Sequence, residues 1–288
     1  VSPWWRNRAA LAHVRHRLKS WYASTRIWCR KSIASTWRRD ELGVALFPDQ
    51  LVITRVGGWR RQPLQKEIIG LAPAADDAPR WKPALEVLAA KVFAGELSGA
   101  DVTVVLSNHL VHYVLVPWSD ALNKEEDQLT FARHRLARVH GSLAEGWLLR
   151  LSQANSRQPR LACGVDKALI DALDAVMAPI GSRYRSLQPH FMASFNRWRV
   201  RLSEQPGWFV VAEPGLVCLA LLQDGEWRSV RTIRIGADWP GELSSVLARE
   251  QYLVDSESEC DRVFVFASNL PAPAALETGH WKIENLQA

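Results

Sequence analysis

The side chains able to do chemistry are scattered along the chain, and few stand at a spacing that chemistry requires. His109 and His112 lie three positions apart in HLVHYVLVPW, a stretch that reads as one strand. An odd separation along a strand sends the two rings to opposite faces, which spoils them as a pair of metal ligands. His134 sits between Arg133 and Arg135 in a helical stretch and reads as solvated. Cys29, Cys163, Cys218 and Cys260 are far apart, with no Cys-x-x-Cys, so the expectation is plain thiols in a reducing compartment and neither a zinc site nor a disulfide framework. There is no Gly-x-Ser-x-Gly elbow, no Gly-x-x-x-x-Gly-Lys and no Gly-x-Gly-x-x-Gly. A triad assembled in space from scattered Ser, His and Asp is not legible here.

Charge is distributed more tellingly than chemistry. The 288 residues carry a formal net charge of +6, yet residues 1–39 hold ten of the 36 Lys and Arg and none of the 30 acids. The remainder therefore has 26 basic against 30 acidic groups, a net of −4. Reading the whole chain as a basic, nucleic-acid-type protein would misplace the charge. Within residues 1–40, Leu11, Val14, Leu18, Trp21 and Trp28 fall on one helical stripe, bordered by Arg8, Arg15, Lys19, Arg26 and Arg30, with Trp4 and Trp5 ahead of it. That pattern predicts a basic amphipathic helix. An anionic membrane surface or a partner helix suits it first, a plain solvated helix next, and nucleic acid last. No apolar run reaches the length of a membrane span, and charges interrupt the first residues too often for a secretory signal.

The elements that must position any site are easier to read. LGVALF, LVITRV and LQKEIIGL form a predicted three-stranded meander with turns at Pro48–Asp49 and Gly57–Gly58. Leu85, Leu88, Ala89 and Val92 recur at helical spacing behind Pro83, and VTVVLS follows as a strand expected to be buried on both faces. A module then begins with HLVHYVLVPW. Asn123 and Glu126 suggest a capping box for a helix whose apolar face is Leu129, Ala132, Leu136 and Val139, and WLLRL and LACGV return as strands. Asp166 is placed to cap a helix carrying Leu169, Leu173 and Val176; a strand near Tyr184–Leu187 and a helix with Phe191, Phe195, Trp198 and Leu202 on one face complete this half. WFVVAE, LVCLALL and WRSVRTIRI then repeat the meander, with Asp224–Gly225 as a hairpin signal. A helix with Leu243, Val246, Leu247 and Tyr252 and the strand RVFVFAS close a second βββαβ, after which only HWKIEN offers another strand. The repeat is one of element order, not of residues.

Two βββαβ units, the first carrying an inserted module, resemble the duplicated ribonuclease-H-like halves of the actin superfamily. Hairpins account for the antiparallel strands and right-handed crossovers for the helices between the later ones. The segment VVLSNHLVHYVLVPWSDALNKEEDQLTFARHRL and the opening LGVALFPDQLVITRV resemble the pilus assembly protein family PilM and the type II secretion family GspL. The expected fold class is thus α/β, a duplicated actin-like fold. Its expected domains are a basic Trp-rich segment at 1–40, a first half at 41–205 with its inserted module at about 107–158, and a shortened second half at 206–288. The resemblance implies a non-catalytic scaffold, cytoplasmic and peripheral at the inner membrane, that grips the short cytoplasmic tail of a bitopic membrane partner. GspL carries its own membrane span after this region; a chain ending at Ala288 without one looks closer to the soluble PilM arrangement.

In nucleotide-binding members of that superfamily, the first hairpin of each half carries an Asp and a Gly-rich turn that bring backbone N–H groups to the phosphates and organise magnesium. The matching turns here are LFPDQL and AEPGLV. Pro48 supplies no N–H donor, and neither turn has the cluster of Gly with Ser or Thr of a phosphate cradle. FASN at 266–269 lacks the glycines that would lie against an adenosine. Asp49 and Glu213 could be relics of metal-organising carboxylates, but turn Asp and hairpin Glu are common for structural reasons. The expectation is no catalytic residue, cofactor or metal, with ATP and magnesium kept as the alternative.

Overall fold

The computed structural model describes residues 40–57, 63–153, 157–203, 205–236, 238–254, 260–267 and 280–286, which divide into two compact units. One unit comprises the described chain up to Leu106 together with Asp171–Pro189. The other comprises Ser107–Ile170 and the chain from His190 onward.

The first unit is built on a five-stranded sheet of β1 (Glu41–Leu46), β2 (Gln50–Val56), β3 (Pro63–Gly70), β4 (Asp101–Leu106) and β8 (Tyr184–Pro189), in the order β3-β2-β1-β4-β8. β1, β2 and β3 pair antiparallel as the predicted meander, while β4 runs parallel to β1 and β8 parallel to β4. Parallel neighbours need a crossover, which α1 (Lys82–Phe93) supplies between β3 and β4, burying Leu85, Leu88 and Val92. β4 alternates: Val102, Val104 and Leu106 are buried, whereas Thr103 and Val105 are half-buried. The even burial of both faces expected for VTVVLS is therefore not reached.

The second unit contains β5 (His112–Val116), α2 (Glu125–His140), β6 (Trp147–Leu151) and β7 (Arg160–Asp166), followed at Lys167 by α3 (Lys167–Met177), which continues into the first unit. Its three strands form an antiparallel sheet in the order β5-β7-β6. α4 (His190–Ser203), β9 (Gly207–Glu213), β10 (Leu216–Gln223), β11 (Glu226–Arg234), α5 (Trp239–Leu253), β12 (Arg262–Phe266) and β13 (Lys282–Leu286) follow. The large sheet runs β11-β10-β9-β12-β13, with β12 parallel to both β9 and β13, so it repeats the order and directions of the first sheet strand for strand. HWKIEN therefore does supply the fifth strand, and the second sheet is not short of one.

β9 explains how a continuous apolar run reads as a central strand. Trp208, Val210 and Ala212 point into a core with Leu243 and Leu247 of α5; Phe209 and Val211 point into a second core with Phe191 and Leu202 of α4. Complete burial of each such side chain stabilises by about 1.5–3 kcal/mol. The second core also receives Tyr113, Leu115 and Leu161, so the three-stranded module packs on the second large sheet although it follows the first in sequence. Asp224 and Gly225, at φ 54 and 72, make the predicted hairpin between β10 and β11. Asp166 accepts from the Ala168 N–H at 2.9 Å, as expected of a cap.

Four local expectations fail. HLVHYVLVPW is not one strand: Asn108–Leu110 is a single 3-10 turn capped by Ser107, and β5 starts only at His112. Asn123 and Glu126 make no capping box, because α2 begins one residue later, at Glu125, with Lys124 as its uncapping N-terminal neighbour. Glu125, Glu126 and Asp127 in its first turn oppose the positive helix end instead, and the Gln128 side chain donates to Leu122 O at 2.7 Å. Val139 and Tyr252, placed on apolar helix faces by spacing, are 76% and 89% exposed: Val139 lies in the last turn of α2, and Tyr252 lies about half a turn around α5 from the buried Leu243, Leu247 and Glu250.

Candidate functional site

The chemistry-bearing side chains of the second unit converge on Glu213, the last residue of β9. Its carboxylate is buried and receives hydrogen bonds on both oxygens. Oε1 accepts from His190 Nδ1 at 2.5 Å and from the Asn108 N–H at 3.0 Å; Oε2 accepts from Ser107 Oγ at 2.5 Å. Ser107 Oγ in turn accepts from the His109 N–H at 3.1 Å, which is what turns the chain out of β4 into the short helix. Asn108 Oδ1 accepts from Tyr113 Oη at 2.8 Å and from the Phe191 N–H at 3.1 Å, and its Nδ2 is buried with no hydrogen-bond partner among the described residues. His109 Nε2, facing a carbonyl, must carry its proton and donates to Pro214 O at 2.9 Å.

Burial pushes the Glu213 carboxyl up, but the hydrogen bond and charge of His190, the Asn108 N–H and the Ser107 hydroxyl together outweigh it, and the group is held below the ordinary glutamate range. A buried carboxylate kept ionised this way ties together whatever donates to it. Here those donors are the segment after β4 and the start of α4, which the carboxylate ties to the end of β9. Ser107 gives its proton to the carboxylate and not to an imidazole.

The two turns singled out in the sequence are closed by their own backbones. Phe47 N–H donates to Gln50 O at 2.9 Å, and Asp49 O accepts from the Leu71 N–H at 2.8 Å, leaving the Asp49 residue exposed. Across the second turn Pro214 brings no donor, Gly215 takes φ 74, and Gly215 O accepts from the Ile235 N–H at 3.2 Å. Of the two suspected carboxylates, Glu213 is thus committed inward and Asp49 outward. His134 is exposed on α2, as expected. Cys163, Cys218 and Cys260 are buried free thiols, and burial pushes Cys163 up to about 12. Trp4, Trp5, Arg8, Arg15, Lys19, Trp21, Arg26, Trp28 and Arg30, together with Cys29, lie outside the described residues.

Sequence reasoning passed over Ser107, Asn108 and His190. The available signal was position: Ser-Asn directly after the apolar run VVL, and His190 directly after Pro189, each where a strand gives way to a turn or helix.

Two five-stranded sheets of one strand order, each a meander extended by parallel crossovers, define the actin-like ATPase fold. The chain is similar to the cytoplasmic domain of EpsL, an inner-membrane component of the type II secretion system of Vibrio cholerae, at 14% identity and a TM-score of 0.54 over 86% of this chain and 90% of that one. It is similar as well to a PilM–PilN type IV pilus biogenesis complex, at 14% identity and a TM-score of 0.55 over 80% and 82% of the chains. A Bacteroides thetaiotaomicron protein with the actin-like ATPase fold matches at 9% identity and a TM-score of 0.54 over 82% and 84%. No family model and no curated protein sequence matches the chain.

Proposed function

We propose that this chain is a cytoplasmic scaffold of a type II secretion or type IV pilus-like assembly, which binds the cytoplasmic tail of an inner-membrane partner and hydrolyses no nucleotide. One observation carries the reading: Glu213, the carboxylate best placed to serve magnesium in the second hairpin, has both oxygens occupied by donors of its own chain. A metal ion there would have to displace His190 or Ser107 from a buried site, at the cost of leaving their polar atoms unpaired. The likeness in fold to the EpsL cytoplasmic domain and to the PilM–PilN complex supplies the class of assembly, and among the described residues no helix is long and apolar enough to cross a membrane.

The test is capture from solubilised membranes on the full chain, run beside calorimetry with ATP and magnesium. Recovery of an integral membrane protein with a short cytoplasmic tail, with no heat of ATP binding at tens of micromolar, is the expected result. Micromolar ATP binding with no membrane protein recovered would replace the scaffold with an actin-like ATPase, the second reading that the fold alone permits.

A further inference from the structure

Two histidines of the three-stranded module take no part in the Glu213 cluster, and they stand side by side. His112 on β5 pairs across the ladder with Gly164 of β7, which pairs in turn with Leu149 of β6. Because residue 164 has no side chain, Trp147 lies across it; its Cε3 is 3.1 Å from where a Cβ at 164 would be. The indole thereby reaches the His112 ring and stacks on it, with centroids 3.9 Å apart and planes 3° from parallel. His140, the last residue of α2, closes the group at 4.5 Å from the His112 centroid, tilted by 57°, and 5.0 Å from that of Trp147.

We propose that His112 and His140 form a two-imidazole site for a borderline transition-metal ion of the Zn²⁺, Ni²⁺ or Cu²⁺ class. The separation leaves room for such an ion: with metal–nitrogen bonds of about 2.0–2.1 Å and a ring centroid about 1.2 Å behind each donor atom, two imidazoles on neighbouring coordination positions have centroids about 4.5–5.3 Å apart, and the observed distance matches the lower end, where the two bonds stand at about a right angle. Rotation of either ring by a half-turn about its Cβ–Cγ bond exchanges carbon and nitrogen positions within the same plane, so the stack on Trp147 does not fix which edge carries the donor. No hydrogen bond holds either ring to another described residue, in contrast to His109 and His190.

Arg133 is the neighbouring charge: its guanidinium donates to the carbonyls of Ala144, Glu145 and Trp147 and opposes a bare dication. No group of three or more ligating side chains occurs among the described residues, so water completes the coordination. Imidazole with water suits Zn²⁺, Ni²⁺ and Cu²⁺ and does not suit Mg²⁺ or Ca²⁺, which require carboxylate or carbonyl oxygen.

Titration calorimetry of ZnCl₂, NiCl₂ and MgCl₂ into the full chain at neutral pH tests the assignment. His13 and His16 form another closely spaced pair, so H13A/H16A is the control background. The expected result is micromolar binding of one Zn²⁺ or Ni²⁺ in the wild type and in H13A/H16A, at least tenfold weaker binding in H112A and H140A, and none of Mg²⁺. H140A alters a half-buried helix end and keeps the test valid if H112A fails to fold. Absence of Zn²⁺ and Ni²⁺ binding in the wild type, or unchanged affinity in folded H140A, would overturn the proposal.

Discussion

Ser107 donates its hydroxyl proton to Glu213 at 2.5 Å, joining two residues 106 positions apart in the chain. The contact is buried at both ends and shares its acceptor with His190 and the Asn108 N–H. Replacing Glu213 by Ala strands these donors at once. Because a buried group left unpaired costs about 1–3 kcal/mol, Glu213→Ala is expected to lower unfolding stability by roughly 3 kcal/mol or more, with Ser107→Ala nearer 1. Asp49→Ala, on an exposed turn, should change it by less than about 0.5 kcal/mol. Urea unfolding of the three variants separates a structural Glu213 from a surface relic: similar values for Glu213→Ala and Asp49→Ala would refute the structural role.

The same carboxylate sets a direction for acid stability. Glu213 titrates below its ordinary value of 4.5 in the folded chain, so the unfolded chain binds the proton first as pH falls. Its contribution is complete above 4.5 and disappears as pH drops through the lowered folded value. Midpoints of urea unfolding measured from pH 6 to pH 3 should fall steeply below 4.5 in the wild type and less steeply in Glu213→Gln. A wild-type profile no steeper than that of the Gln variant would contradict the assignment.

Gly207 opens β9 where the strand passes closest to a neighbouring ring. A Cβ added there would lie 2.7 Å from Phe264 Cε2 and 3.3 Å from the Arg262 carbonyl oxygen. Phe264 is itself fully buried on β12 and has little room to retreat. Gly207→Ala is expected to cost about 1–3 kcal/mol through overpacking. Shortening the ring in the Gly207→Ala, Phe264→Leu double variant should cost less than the sum of the single changes, and strict additivity in thermal unfolding would count against the clash.

Much of the architecture was legible because it follows from local pattern. β9 and β10 are unbroken apolar runs because both their faces are buried, and Asp224–Gly225 marks its hairpin because both positions take positive φ. What local pattern misses is which residues at a helix end are covered. Val139 keeps the spacing of Ala132 and Leu136 yet is exposed, and Tyr252 lies about half a turn around α5 from the buried Leu243 and Leu247. The Glu213 cluster was half legible. Glu213 drew notice as a hairpin carboxylate, but its donors come from Ser107, Asn108 and His190, and only the folded chain brings them together. His109 and His112 do not share the one strand that the sequence suggested: a 3-10 turn holds His109 and β5 begins at His112, and the contacts differ, Pro214 O for one and Trp147 for the other.

The charge of the first 39 residues leads to the last prediction. Ten cations and no acid precede Asp40, with Trp4, Trp5, Trp21 and Trp28 among them, in a chain whose remainder is net negative. Each cation near an anionic leaflet contributes about 1 kcal/mol, and the apolar stripe that the spacing predicts would add burial in the interface, so we propose that this segment holds the chain on such a surface. The full chain should float with vesicles containing one-third phosphatidylglycerol at low salt and release progressively as salt screens the attraction. Removing residues 1–39 should abolish flotation, and neutral phosphatidylcholine vesicles should retain little of either form. A DNA mobility shift stronger than the vesicle binding, lost on the same truncation, would instead assign the segment to nucleic acid; equal flotation of the truncated chain would remove it from membrane contact altogether.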